Sequence, residues 1–138
     1  MKKLGLDIGT VRIGIATSDS LGIIASSHSV YKRKFLKADA GFIANLAKSL
    51  ECDAIIIGKP LKLDGSAGQS VQMVNEFADA LKEFTDIPII FQDERLSTVS
   101  AERMLIEGGV RREKRKDLID SVAATVILQN YLDKPRNS

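Results

Sequence analysis

Asp7, Glu94 and Asp120 are the residues whose type and setting could do chemistry in this chain of 138 residues. Asp7 sits in Leu4-Gly5-Leu6-Asp7-Ile8-Gly9-Thr10, an otherwise apolar, glycine-spaced stretch where a carboxylate is expensive to bury. Glu94 sits in the charged cluster Gln92-Asp93-Glu94-Arg95, and Asp120 precedes Ser121-Val122-Ala123-Ala124. Brought to one pocket, three carboxylates repel, and they are stable together chiefly when protons are shared or a divalent cation neutralises them. Magnesium, with manganese as the substitute, suits an all-oxygen site completed by water and substrate phosphate. Zinc would call for histidines and cysteines, and the chain has one of each. One or two such ions could generate a hydroxide nucleophile and stabilise the leaving oxygen in phosphodiester hydrolysis. Each acid also has a structural reading. Asp7 could bond nearby backbone at a strand end, Glu94 could pair with Arg95 or Arg12, and Asp120 could be a helix-start acid favoured by the macrodipole.

The basic residues supply the partner to such a site. Arg12, Lys59, Lys62, Arg95, Arg111, Arg112, Lys114, Arg115 and Lys116 are the candidates to hold a nucleic-acid backbone. Twenty basic and eighteen acidic residues leave only +2, but residues 111–116 contribute five minus one, or +4. Lys32, Arg33, Lys34 and Lys37 contribute another +4, so the remainder carries 2 minus 8, or −6. An acidic body with two basic segments fits a phosphate-binding surface beside a carboxylate site, although solvated basic loops give the same pattern.

Composition bounds the rest. A chain 44% hydrophobic and 28% charged is expected to form one domain over 1–138, with a core large enough to need no metal or disulfide staple. No apolar run approaches the roughly 18 residues of a membrane span, and Met1-Lys2-Lys3 leads straight into a strand pattern, so a cytoplasmic protein is expected. Cys52, the single cysteine, lies beside an apolar run and reads as a buried thiol. His28, the single histidine, lies among serines and is assigned no role.

The elements that must position the acids follow from periodicity. Leu4, Leu6 and Ile8 alternate against Gly5, Asp7 and Gly9, which puts Asp7 between two positions without side chains, a gap that could admit a metal ion or a phosphate. Gly9-Thr10 reads as a tight reversal into an antiparallel strand around Ile13, Ile15 and Thr17, and residues 22–31 as a third strand completing a meander. A helix is expected over 35–50, a buried parallel strand over 53–58, a candidate binding loop over 59–68, a helix over 69–84 and a strand from Pro88. Ser97 or Thr98 caps a helix running to Glu107, and Ile119 to Tyr131 form a final helix with Asp120 in or near its first turn, on the side opposite the bulkiest residues and beside Ala124. This is an α/β fold with a mixed five-stranded sheet, three strands antiparallel and two parallel, flanked by helices. The right-handed crossover rule makes strands one, four and five parallel neighbours and brings the three acids to one end.

Four motifs in this order resemble the YqgF family of the RNase H-like superfamily, whose members are also described as Holliday junction resolvases. They are Asp7-Ile8-Gly9-Thr10-Val11-Arg12-Ile13-Gly14, Gly58-Lys59-Pro60-Leu61-Lys62-Leu63-Asp64-Gly65-Ser66, Asp93-Glu94-Arg95-Leu96-Ser97-Thr98, and Lys116 through Asp120-Ser121-Val122-Ala123-Ala124. The resemblance implies an RNase H-like sheet, Asp7, Glu94 and Asp120 as the metal-binding trio, and a cytoplasmic nuclease acting at the 5′ end of precursor 16S rRNA. The alternatives it leaves are a resolvase acting on branched DNA, or a non-catalytic nucleic-acid-binding factor associated with transcription. Val11 stands where the family usually has Lys, and Lys59 and Lys62 stand where Leu and Asn are frequent. These departures bear on substrate contacts and leave the acids untouched. A resolvase cuts two strands symmetrically and so favours a homodimer, while nothing in the residues decides between monomer and dimer.

Overall fold

A computed structural model describes residues 1–59, 69–93 and 112–134, with backbone alone at 69–70, 93 and 112–121. Strands β1 (Lys2–Ile8), β2 (Arg12–Ser18) and β3 (Ala25–Lys32) lead into helix α1 (Leu36–Ser49). Strand β4 (Cys52–Lys59), helix α2 (Gln69–Lys82), strand β5 (Ile89–Asp93) and helix α3 (Arg112–Leu132) follow. The sheet order is β3-β2-β1-β4-β5, with β1–β2 and β2–β3 antiparallel and β1–β4 and β4–β5 parallel. The mixed sheet expected from the sequence is therefore the one formed, with the meander strand β3 at its edge. The expected helix ending at Glu107 lies outside the described residues.

Alternation assigns the two faces. Leu4, Leu6, Ile8, Ile13, Ile15, Ile55 and Ile57 pack against Ile43, Ala47, Val74, Phe77 and Leu81 of α1 and α2. The opposite side chains, Ala16, Ala54 and Ile56, pack against Ala124, Ile127 and Leu128 of α3. The triple isoleucine of β4 is fully buried because both faces of that strand are covered. Cys52 is buried at the start of β4, and burial pushes its thiol above the ordinary value. His28 is exposed on the edge strand, where its Nδ1 meets Ser29 Oγ at 2.8 Å.

Two boundaries differ from expectation. Strand β3 begins at Ala25 rather than near Gly22, because Asp19 Oδ1 accepts the Ile23 and Ile24 amides at 2.7 and 3.1 Å and draws those residues into a turn. Helix α3 begins at Arg112, so residues 112–116 of the basic run are helical rather than a loop. Asp120 is then eight residues into the helix. Helix-end stabilisation of an acid fades within the first turn, so the macrodipole no longer accounts for it.

Candidate nucleic-acid and metal site at the carboxyl end of the sheet

Asp7, half-buried near the end of β1, pairs with Gly14 across the hairpin. It belongs to the face that α3 covers, since its neighbours Leu6 and Ile8 belong to the other. Gly5 shares Asp7's face, and a Cβ there would lie 2.7 Å from Leu128 Cβ and 3.2 Å from the Ala124 carbonyl. On the Gly5 side of Asp7 the space is therefore taken by α3. Gly9 serves the turn: its amide donates to the Arg12 carbonyl at 2.8 Å, and a Cβ would come within 2.7 Å of that oxygen. The glycines flanking Asp7 are steric necessities of helix seating and chain reversal.

The direction of α3 decides where Asp120 falls. Ala25 donates its amide to Gln129 Oε1 at 2.8 Å, and two residues further along β3, Ser27 Oγ meets Thr125 Oγ1 at 3.0 Å. Residue numbers fall along the helix as they rise along β3 and β1, so α3 runs antiparallel to both. Ser27, Ala16 and Gly5 share one cross-strand row, which sets Thr125 at the level of Gly5. From there Asp7 lies two strand residues onward, about 6.6 Å. Position 120 lies five helical residues onward in the same direction, about 7.5 Å. The backbone thus carries positions 7 and 120 to one level on one face. Position 120 also falls one turn before Ala124, on the stripe of Ala124, Ile127 and Leu128, not on the side opposite the bulky residues.

Glu94 lies outside the described residues, immediately after β5. Lys59 pairs with Asp93 and Leu6 with Ile57, so β5 reaches its end in the row of Ile8, beside the Asp7 row. Gly58 and Gln92 continue the Asp7 row and share its face. Gln92 is buried, and among the described residues its Oε1 accepts no hydrogen bond. An orphaned acceptor in that row suits a donor such as a water of a hydrated ion. Among the described residues no three His, Cys, Asp or Glu side chains are grouped, and of the expected trio only Asp7 has its side chain among them. Among the described residues the soft ligands stand apart from Asp7, with the buried thiol of Cys52 at the opposite end of the sheet and His28 on the far edge strand, so an ion held there would be a hard divalent cation on oxygen ligands.

The candidate phosphate contacts divide. Arg12 shares Asp7's face, two residues before Gly14 along β2. Lys59 reaches the same end but belongs to the other face, where its Nζ stands 4.7 Å from the centre of the Phe91 ring. The backbone of Arg112, Lys114, Arg115 and Lys116 forms the opening turns of α3, and Lys116 lies about 7 Å beyond the Asp7 level. Lys62, Arg95 and Arg111 lie outside the described residues.

The buried Asp39 and its partner Arg33 were not foreseen from the sequence. Arg33, counted with a basic surface segment, has a side chain only 14% exposed and donates from Nε to Asp39 Oδ2 at 2.9 Å. Burial pushes the Asp39 carboxyl up, but donors from the Lys34 amide, Arg33 and Tyr31 outweigh it and hold the group below its ordinary value. The signal was available. Asp39 falls on the helical stripe of Ile43 and Leu50, where an acid needs a buried partner.

A family model described as "RuvX: Holliday junction resolvase" matches residues 1–134. The chain belongs to the RuvX (YqgF) family. A relative from Syntrophomonas wolfei named "Putative pre-16S rRNA nuclease" is 47% identical over 133 residues, spanning 96% of this chain and 94% of the relative. One of the same name from Halalkalibacterium halodurans is 46% identical over 136 residues, spanning 97% of each. RuvC of T. thermophilus in complex with a Holliday junction substrate superposes with a TM-score of 0.58 at 16% identity, over 96% of this chain and 93% of that one. The fowlpox virus resolvase in a junction complex gives 0.54 at 13%, over 97% and 100%. At those identities the likeness is one of fold. Among the described residues of this RuvX-family chain, no helix is long and apolar enough to cross a membrane.

Proposed function

We propose that this chain is a cytoplasmic, magnesium-dependent nuclease that hydrolyses phosphodiester bonds in 5′-end processing of precursor 16S rRNA, working as one domain over residues 1–138. The observation that carries this reading is the arrival of positions 7 and 120 at one level of one sheet face, with the basic start of α3 overhanging them. Asp7, Glu94 and Asp120 hold the ion, and manganese can replace magnesium. When bound, the ion supplies Lewis acidity for attack of water on phosphorus and for departure of the leaving oxygen. Arg12 and Arg112, Lys114, Arg115 and Lys116 bind the phosphate backbone, joined by Lys59, Lys62, Arg95 and Arg111 at the rim. Basic residues at a helix start oppose the macrodipole, and an incoming polyanion relieves that repulsion.

The relatives' shared name favours an RNA substrate. The family description favours junction DNA, which remains the second reading. Asp7→Asn, Glu94→Gln and Asp120→Asn are each expected to abolish cleavage while preserving the far-ultraviolet circular dichroism of the wild type. Full cleavage by any one of them, or cleavage undiminished by a chelator, removes that residue or the metal from the reading.

A further inference from the structure

The hairpin that follows Asp7 is held from outside by Arg33, a partly buried arginine with its side chain 14% exposed. Arg33 stands immediately after β3, and its guanidinium reaches two ways: Nε donates to Asp39 Oδ2 at 2.9 Å, and Nη1 donates to the Gly9 carbonyl at 3.0 Å. Its backbone amide donates to the Val11 carbonyl at 2.8 Å. One residue therefore holds both sides of the reversal between β1 and β2. Its own position is fixed in turn. The guanidinium carbon lies 5.6 Å from the centre of the Phe77 ring, and Asp39, whose side chain is 1% exposed, also accepts from the Tyr31 hydroxyl and the Lys34 amide at 2.9 Å each. Tyr31 is itself stacked on Phe42 at 4.3 Å between ring centres.

The ion pair with Asp39 does not by itself require the second arm. A buried carboxylate on α1 needs a cation, and the arm reaching Asp39 already provides it. The second arm leaves the ion pair and reaches the backbone two residues past Asp7. A planar guanidinium can serve both acceptors at once in a fixed geometry, whereas the compact ammonium of lysine cannot. We propose that Arg33 is a positioning residue for Asp7: through the Gly9 carbonyl it holds the end of β1, and so the Asp7 carboxylate, in register with position 120 of α3. The proposal rests on the role given to Asp7 above.

The test compares Arg33→Lys and Tyr31→Phe in the full chain by thermal melting, calorimetric Mn2+ affinity and cleavage kinetics. Arg33→Lys is expected to lower kcat by between about tenfold and a hundredfold, with substrate KM changed by less than about twofold. It should also weaken Mn2+ binding by about tenfold. Tyr31→Phe removes a hydrogen bond from the same carboxylate but leaves the fork to Gly9, so it should lower the melting temperature while keeping kcat and Mn2+ affinity near wild type. Should Arg33→Lys not fold, Asp39→Asn, which loosens Arg33 while keeping an acceptor for Lys34, is expected to give the same kinetic and Mn2+ losses. Arg33→Lys, or Asp39→Asn in its place, with wild-type kcat and Mn2+ affinity overturns the proposal. Losses that track melting temperature alike in the arginine and tyrosine variants overturn it as well. A wild type that binds Mn2+ but cleaves no nucleic acid defeats the nuclease reading, while the Mn2+ comparison still decides whether Arg33 positions Asp7. A wild type that does neither defeats both.

Discussion

Gly5→Ala isolates the role of α3 in assembling the site. The added methyl would start 2.7 Å from Leu128 Cβ, 3.2 Å from the Ala124 carbonyl oxygen and 3.3 Å from Leu128 Cδ2. The first two are fixed to helix backbone, so no rotamer change relieves them. Restoring an ordinary carbon contact of about 3.5–4.0 Å requires the helix to lift by about 1 Å. Overpacking of this kind costs about 1–3 kcal/mol, which lowers the melting temperature by about 3–10 °C in a chain of this size. The same displacement moves position 120 away from Asp7, and a 1 Å error in a catalytic arrangement costs about a hundredfold in rate. The assay is kcat on precursor rRNA beside the melting curve, with Ile56→Val as the reference. That change trims the same cluster for about 0.5–1.5 kcal/mol without pushing the helix, and should leave kcat unaltered. If Gly5→Ala melts earlier yet cleaves at the rate of Ile56→Val, helix seating does not set the site geometry.

Asp39 sets a floor on stability in acid. Its folded-state value lies below the ordinary 3.8, so the unfolded chain binds the proton more readily. The contribution is complete above the ordinary value and is lost as pH falls through the folded one. Asp39→Asn should flatten the drop in melting temperature below about pH 4, and an unchanged acid profile would place that sensitivity elsewhere. Replacing Arg112, Lys114, Arg115 and Lys116 by glutamine should weaken binding to all nucleic acids alike and shallow the plot of log affinity against log salt, by about 0.7–0.9 for each phosphate no longer neutralised. An unaltered salt slope would remove the start of α3 from the interface.

What was legible in the sequence was whatever local period encodes. Alternation around Leu4, Leu6 and Ile8, the two-sided Ile55-Ile56-Ile57 run and the helical stripe through Ile43 and Ala47 fixed the elements, and crossover handedness then ordered the sheet. Asp7 and Asp120 stood out as candidates because a carboxylate among apolar neighbours asks for a reason, and their chemistry is the proposal made above. What stayed hidden was tertiary. The space beside Gly5 is filled by residues 124 and 128, and although Asp39 on its apolar stripe signals a buried partner, no local pattern names Arg33 as that partner or Gly9 as its second acceptor. Ile23 and Ile24 looked like strand because their hydropathy is strand-like, yet the Asp19 carboxylate captures their amides. The basic run looked like a loop because charge density says nothing about helical continuity.

The most direct measurement sets precursor 16S rRNA against a four-way DNA junction, each with and without magnesium, using wild type and Asp7→Asn in parallel. The expected result is magnesium-dependent cleavage of the rRNA 5′ region by wild type, little or none of the junction, and none of either by Asp7→Asn. Cleavage confined to the junction would transfer the activity to DNA. Equal cleavage by wild type and Asp7→Asn, with or without magnesium, would contradict a metal site built on Asp7.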